Sequence, residues 1–91
     1  MRDKLYQNYP NPFDPSIQST EFCIDLRQDS HVEFAIYNIL GKKVRTLVDR
    51  YLEAQSCYKA DFKGSNLSSG IYFARLKTDQ GIQSVPLTIV N

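Results

Sequence analysis

A proline-rich segment near the start of the chain restricts its fold more than any other feature. The segment runs Tyr9-Pro10-Asn11-Pro12-Phe13-Asp14-Pro15. Each proline removes a backbone donor and fixes φ, and each pushes the preceding residue toward an extended conformation, so the segment cannot be a helix or a central strand. We predict a stiff, semi-extended strap with Tyr9 and Phe13 as its anchors. Such a strap either lies against the domain that follows or is presented to a partner, and these residues leave both open.

Beyond the strap, short runs alternate between apolar and polar residues, which is the pattern of half-buried β-strands. The alternation predicts strands at residues 20–26, 32–36, 44–48, 57–62, 71–76 and 85–89. We predict that the first two form a hairpin across a polar turn. Gly41 is expected to close a second hairpin by adopting positive φ. Leu47 interrupts the alternation of its strand, which indicates a β-bulge.

The last run contains Pro86, which cannot donate to a ladder and therefore places this strand at a sheet edge. Six or seven strands with turn signals about every ten residues predict an all-β fold, an immunoglobulin-like or fibronectin III-like antiparallel sandwich of two sheets and about seven strands. Leu67 and Gly70 lead into Tyr72 as in the tyrosine corner of such sandwiches, where the phenol bonds to upstream backbone. We therefore favour a structural role for Tyr72 over a ligand contact.

Length and charge limit the possible partners. The chain has 91 residues, 42% of them hydrophobic, and a net charge of +1, which fits one small domain. No run approaches the roughly 20 apolar residues that a membrane helix needs, and the first residues lack the apolar stretch of a signal peptide. Basic and acidic residues are interleaved without a basic stripe. We therefore expect neither nucleic-acid binding nor membrane insertion.

The nucleophilic and titratable residues form no pattern typical of catalysis or metal binding. His31 has no nucleophile motif nearby, so we interpret it as a solvated strand-end residue rather than a catalytic base. Cys23 and Cys57 are predicted on outward positions of their strands, and with a single histidine they fit no metal motif. Their spacing leaves a disulfide and two free thiols both open. We expect no enzyme activity, no cofactor and no metal.

Three segments together resemble a known family. Leu5 to Ser16, Val32 to Val44 and Gly64 to Phe73 resemble, in this order, the type A C-terminal sorting domain of the type IX (Por) secretion system. The hairpin from Tyr37 to Gly41 is also similar to the related immunoglobulin-like domain of flagellar hook-capping proteins. Where members of the sorting family usually carry tryptophan, aspartate and glycine, this chain has Phe62-Lys63-Gly64.

The resemblance implies a non-catalytic signal at the C-terminus of a larger, Bacteroidetes-type cargo protein. Such a domain directs its cargo through the type IX system, and a sortase-like peptidase commonly removes it. The expected partners are the outer-membrane secretion machinery, this peptidase and the upstream cargo domain. The expected location is the periplasm in transit, then the cell surface or the extracellular space. The alternative is an immunoglobulin-like spacer or adhesion module that binds a protein or a glycan.

The resemblance also assigns roles to residues. Residues 1–15 are expected to form a strap packed on the domain, and residues 16–91 the sandwich. The family signature, which we interpret as mainly structural, comprises Tyr9, Pro10, Asn11, Pro12, Phe13, Asn66, Leu67, Gly70 and Tyr72. We predict that the machinery recognises the C-terminal edge strand, whose unpaired backbone groups a partner can extend, and secondarily the glycine hairpin, for which a plain solvated turn is the alternative. The predicted recognition residues are Gly41, Lys42, Lys43, Val85, Leu87, Ile89 and Val90.

Overall fold

The computed structural model describes residues 3–91, so the first two residues of the predicted strap lie outside it. Its seven strands are β1 (Lys4–Leu5), β2 (Thr20–Leu26), β3 (Ser30–Tyr37), β4 (Lys43–Leu52), β5 (Gln55–Phe62), β6 (Gly70–Thr78) and β7 (Gly81–Ile89). One sheet has the order β1-β2-β5 and the other the order β4-β3-β6-β7. All strand pairs are antiparallel. The predicted all-β, two-sheet sandwich is confirmed, and no helix in this range could span a membrane.

The alternation of apolar residues builds the core between the two sheets. Because successive side chains of a strand point to opposite faces, every second residue of β2 enters the core, namely Phe22, Ile24 and Leu26. Phe22 packs edge to face against Phe34 of β3, with ring centroids 5.0 Å apart. This contact joins the sheets at their centre, where both rings are fully buried.

The predicted hairpin between the first two runs is wrong. β2 and β3 belong to different sheets, and the short connection between them carries the chain across the sandwich. Each of the two strands buries one face, which is equally compatible with pairing side by side and with facing each other across a core. Alternation therefore located the strands but did not determine which of them are neighbours.

The second predicted hairpin is confirmed, since β3 pairs with β4 across residues 38–42. Gly41 has φ of +84°, the left-handed conformation expected of it. The register of β3 against β4 shifts between Phe34 and Ala35, opposite Leu47. The predicted bulge is therefore present, and it explains the broken alternation of β4.

The C-terminal strand lies at the edge of the four-stranded sheet, as Pro86 predicted. β7 pairs with β6 along its whole length, from Gly81 opposite Thr78 to Ile89 opposite Gly70. Its other side faces away from the sheet. That outer side is where the strap lies.

Candidate functional site

The strap pairs with the outer edge of β7. The amide of Phe13 donates to the carbonyl of Thr88 at 3.1 Å, and the amide of Val90 donates to the carbonyl of Phe13 at 3.0 Å. The Asn11 side chain completes the pairing, because its Oδ1 accepts from the amide of Thr88 at 2.9 Å. Both backbone groups of Thr88 and the amide of Val90 are therefore satisfied by the strap.

Further contacts continue along the same edge. Gln7 Nε2 donates to the carbonyl of Pro86 at 2.7 Å. Nearer the start of β7, the side chain of Gln83 accepts from the amide of Leu5 at 3.0 Å and donates to the carbonyl of Asp3. The strap thus takes much of the place that an eighth strand would occupy beside β7.

This pairing corrects the prediction that the C-terminal edge offers unpaired backbone groups, because from Pro86 to Val90 the strap already uses them. The predicted recognition residues of this segment also differ in exposure. Leu87 and Ile89 point inward and have 0% of their surface exposed, whereas Val90 is 45% exposed. Val85 is partly buried against the core. Pro86 marked the strand as an edge, but local sequence does not show which distant segment will cover that edge.

Phe13 anchors the strap and Tyr9 does not. The Phe13 side chain is 1% exposed and packs edge to face on Phe62, with ring centroids 5.8 Å apart. Gly64 lies against the Phe13 ring, where a Cβ would come within 3.0 Å of it. The Tyr9 side chain is 82% exposed, so its predicted anchoring role is wrong. Tyr9 contributes through its backbone, which exchanges two 3.0 Å hydrogen bonds with Glu21.

A buried polar cluster holds the bend of the strap. Asn8 Nδ2 donates to Thr20 Oγ1 at 2.9 Å, and that hydroxyl donates to the carbonyl of Pro10 at 2.7 Å. Both side chains are almost fully buried. The peptide bonds preceding Pro10 and Pro12 are cis. Because these buried polar groups are hydrogen-bonded, they orient the strap without an unpaired polar atom in the core.

The two cysteines form a disulfide across the adjacent strands β2 and β5. The Cα atoms of Cys23 and Cys57 are 4.8 Å apart. Beside the bridge, the Asp25 carboxylate accepts from the amide of Cys57 at 2.9 Å and from the hydroxyl of Tyr6 at 3.0 Å. These hydrogen bonds, the Cys57 bond foremost, hold the pKa of the Asp25 carboxyl below its usual range. The strap is thereby linked to the three-stranded sheet as well.

The glycine hairpin (residues 38–43) is held by the side chain of Asn38. Its Oδ1 accepts from the amides of Leu40 and Lys42, at 3.0 and 2.9 Å. The amide of Gly41 donates to the Asn38 carbonyl at 2.9 Å. The hairpin therefore presents two aliphatic side chains in a fixed turn. Ile39 is 72% exposed and Leu40 is 89% exposed.

Positive charge flanks this hairpin. Lys43 Nζ lies 2.7 Å from Glu33 Oε2, and this contact lowers the pKa of the Glu33 carboxyl and raises the pKa of the Lys43 ammonium. The guanidinium of Arg45 donates to the carbonyls of Val44 and Ser65, at 2.8 and 2.7 Å. The second of these bonds joins β4 to the loop between β5 and β6.

The β5–β6 loop (residues 63–69) is tied to both β6 and the chain end. The hydroxyl of Tyr72 donates to the carbonyl of Ser68 at 2.8 Å, which is the upstream backbone bond of a tyrosine corner. The amide of Asn91 donates to Ser69 Oγ at 3.0 Å, and its Nδ2 donates to the carbonyl of Leu67 at 3.1 Å. The position of this loop therefore depends on the last residue of the chain.

An open groove of about 740 Å³ lies between the glycine hairpin and the β5–β6 loop. Its apolar lining comes from both segments and comprises Ile39, Leu40, Val44, Leu67, Ile71 and Tyr72. Four residues of the predicted signature border it, namely Asn66, Leu67, Gly70 and Tyr72. Sequence analysis missed Ile39, Leu40 and Ile71 as surface features. The signal for the first two was a pair of aliphatic residues inside a hairpin loop, where polar residues are usual.

The remaining candidates lie apart from this groove. His31 Nε2 is 3.1 Å from Asp49 Oδ1, and both side chains are more than half exposed. Across residues 3–91, no three histidine, cysteine, aspartate or glutamate side chains cluster closely enough to hold a metal ion.

A comparison with protein families identifies nearly the whole folded unit. A family model described as the secretion system C-terminal sorting domain matches residues 7–91, which include both the strap and the sandwich. No curated protein matches the chain.

Proposed function

The chain belongs to the family of secretion system C-terminal sorting domains, which are signals for type IX secretion, and we propose that it carries a larger upstream cargo protein to the cell surface or beyond it. The domain acts as a folded address and catalyses no reaction. One observation carries the proposal: the family match begins inside the strap and continues to the last residue. Since Phe13 of the strap is buried in the core of the sandwich, the matched segment coincides with one folded unit.

The proposed partners are the outer-membrane secretion machinery, a sortase-like peptidase that removes the domain, and the cargo that precedes the strap. In this scheme the cargo crosses the periplasm before the machinery recognises the domain. The likeness of the hairpin to the immunoglobulin-like domain of flagellar hook-capping proteins stays a prediction.

We further propose that the machinery recognises β7 by adding a strand to its outer edge, and that the strap must first leave that edge. The strap and an incoming strand would use the same groups, because the carbonyl of Pro86, both backbone groups of Thr88 and the amide of Val90 face outward. The strap is therefore the competitor of the proposed partner. Strand addition at this edge supplies backbone hydrogen bonds without requiring contact with the buried side chains of Leu87 and Ile89.

The proposal is tested by fusing the chain behind a signal peptide and a reporter in a bacterium that has the type IX system. Delivery of the reporter to the surface is the expected result. Retention of the reporter in the periplasm would overturn the proposal and favour the alternative, a spacer or adhesion module.

Recognition of the edge needs a separate variant, because deleting residues 85–91 would also remove two fully buried core residues. Ser84 is exposed, and strand alternation directs its amide to the same edge as the amide of Thr88. Ser84→Pro removes that donor without touching a β6 partner, and Ser84→Ala is its matched control. We expect Ser84→Pro to reduce surface delivery and Ser84→Ala to leave it unchanged. Equal delivery of the two variants would contradict strand addition at this position.

A further inference from the structure

The groove between the glycine hairpin and the β5–β6 loop exposes an unusual amount of rigid aliphatic surface for so small a domain. Leu40, Ile39 and Ile71 are 89, 72 and 51% exposed, and they line the same groove. The hairpin is not loose, because the side chain of Asn38 fixes it through two hydrogen bonds. Contiguous exposed apolar surface of this kind marks interaction sites.

Several polar atoms around the groove already have partners inside the domain. Asn38 Oδ1 accepts two backbone amides, the hydroxyl of Tyr72 donates to backbone, and Ser69 Oγ accepts from the amide of Asn91. Of the residues that line the groove, none is charged. The surface therefore has little to offer a sugar or another polar ligand, and it fits apolar side chains.

The rim of the groove restricts the charge of the occupant. Lys42, Lys43 and Arg45 follow the hairpin tip in sequence. Lys43 shares its charge with Glu33, whereas Arg45 bonds two carbonyl oxygens, which do not neutralise it. A partner that brings carboxylates beside its apolar residues would complement this rim.

We propose that the groove docks a short segment of a secretion-machinery protein that combines aliphatic and acidic residues. This inference rests on the proposed function, since it names a second recognition surface for the same machinery. It also gives the last residue of the chain a role that does not depend on strand addition. Because Asn91 holds Leu67 and Ser69, the chain end keeps one wall of the groove in place.

The binding test titrates the labelled domain with a synthetic peptide of alternating leucine and aspartate, and with the same peptide carrying lysine in place of aspartate. We expect amide shifts at Ile39, Leu40 and Ile71, and binding of the acidic peptide at least tenfold tighter than that of the basic one. Equal affinity for the two peptides, or shifts centred elsewhere, would overturn the proposal. So would sedimentation showing that a second copy of the chain occupies the groove.

The cellular test uses the reporter fusion with a double variant, Ile39→Ser and Leu40→Ser. Both side chains are exposed, so the domain should remain folded. The matched control is Tyr51→Ser with Ile82→Ser, which are 63 and 59% exposed and lie outside the groove. We expect at least a fivefold loss of surface delivery for the groove variant and less than a twofold change for the control. If the unmodified fusion is exported and the groove variant is exported equally well, the groove proposal fails while the proposed function stands. If the unmodified fusion is not exported, both fail.

Discussion

Replacing Phe13 with alanine tests whether the strap is part of the folded unit. The ring is 1% exposed, packs on Phe62 and fills the space beside Gly64. Phe→Ala in a packed core costs about 3–5 kcal/mol, the sum of lost burial and the cavity left behind. In a domain of this size about 4 kcal/mol corresponds to a fall in Tm of roughly 15–30 °C, which thermal unfolding followed by circular dichroism would measure.

The control is Tyr9→Ala, since it removes an aromatic side chain from the same strap. Tyr9 is 82% exposed and holds its place through backbone bonds to Glu21, which alanine keeps. Its substitution should change the free energy of unfolding by no more than about 0.5 kcal/mol. The reasoning is refuted if Phe13→Ala costs less than about 1 kcal/mol, or if the two variants are equally destabilised.

Two further predictions concern the disulfide and the carboxylate beside it. Replacing Cys23 and Cys57 with alanine should lower the free energy of unfolding by about 4 kcal/mol in the chain-entropy model, since the bridge spans 34 residues. In urea unfolding, a reductant should destabilise the wild type to a similar extent and leave the variant unchanged; a bridge-independent stability would contradict this. The pKa of Asp25 is lowered from 3.8 chiefly by the Cys57 amide, so its contribution to stability is present above that pH and is lost as pH falls through the folded-state pKa. Asp25→Asn keeps an acceptor but cannot titrate, so the advantage of the wild type over this variant should shrink on acidification, and a pH-independent difference would disprove the assignment.

Local pattern predicted the strands well because each depends on its own alternation. The bulge at Leu47, the positive φ of Gly41 and the edge position of β7 all followed from single residues whose backbone or packing requirements are specific. The wrong β2–β3 hairpin shows the limit of the same evidence. Burial of one face determines where a strand turns its apolar side, and says nothing about which strand lies beside it.

The candidate surfaces depended on contacts between distant parts of the chain, and the sequence could not supply these. Asn11 and Thr88 are 77 positions apart, and their hydrogen bond is what covers the predicted recognition edge. The groove likewise needs the turn at Ile39 and Leu40 to meet a loop that is fixed by Asn91. Family resemblance identified both segments as significant, but only the fold placed them against each other.

The most direct test of the central claim compares the reporter fusion in a type IX-competent strain and in the same strain without the secretion machinery. Protease added to intact cells reports whether the reporter has reached the surface. The proposed function predicts digestion of the reporter only in the competent strain, and only when the fusion ends in this domain. Protection of the reporter in both strains would contradict it.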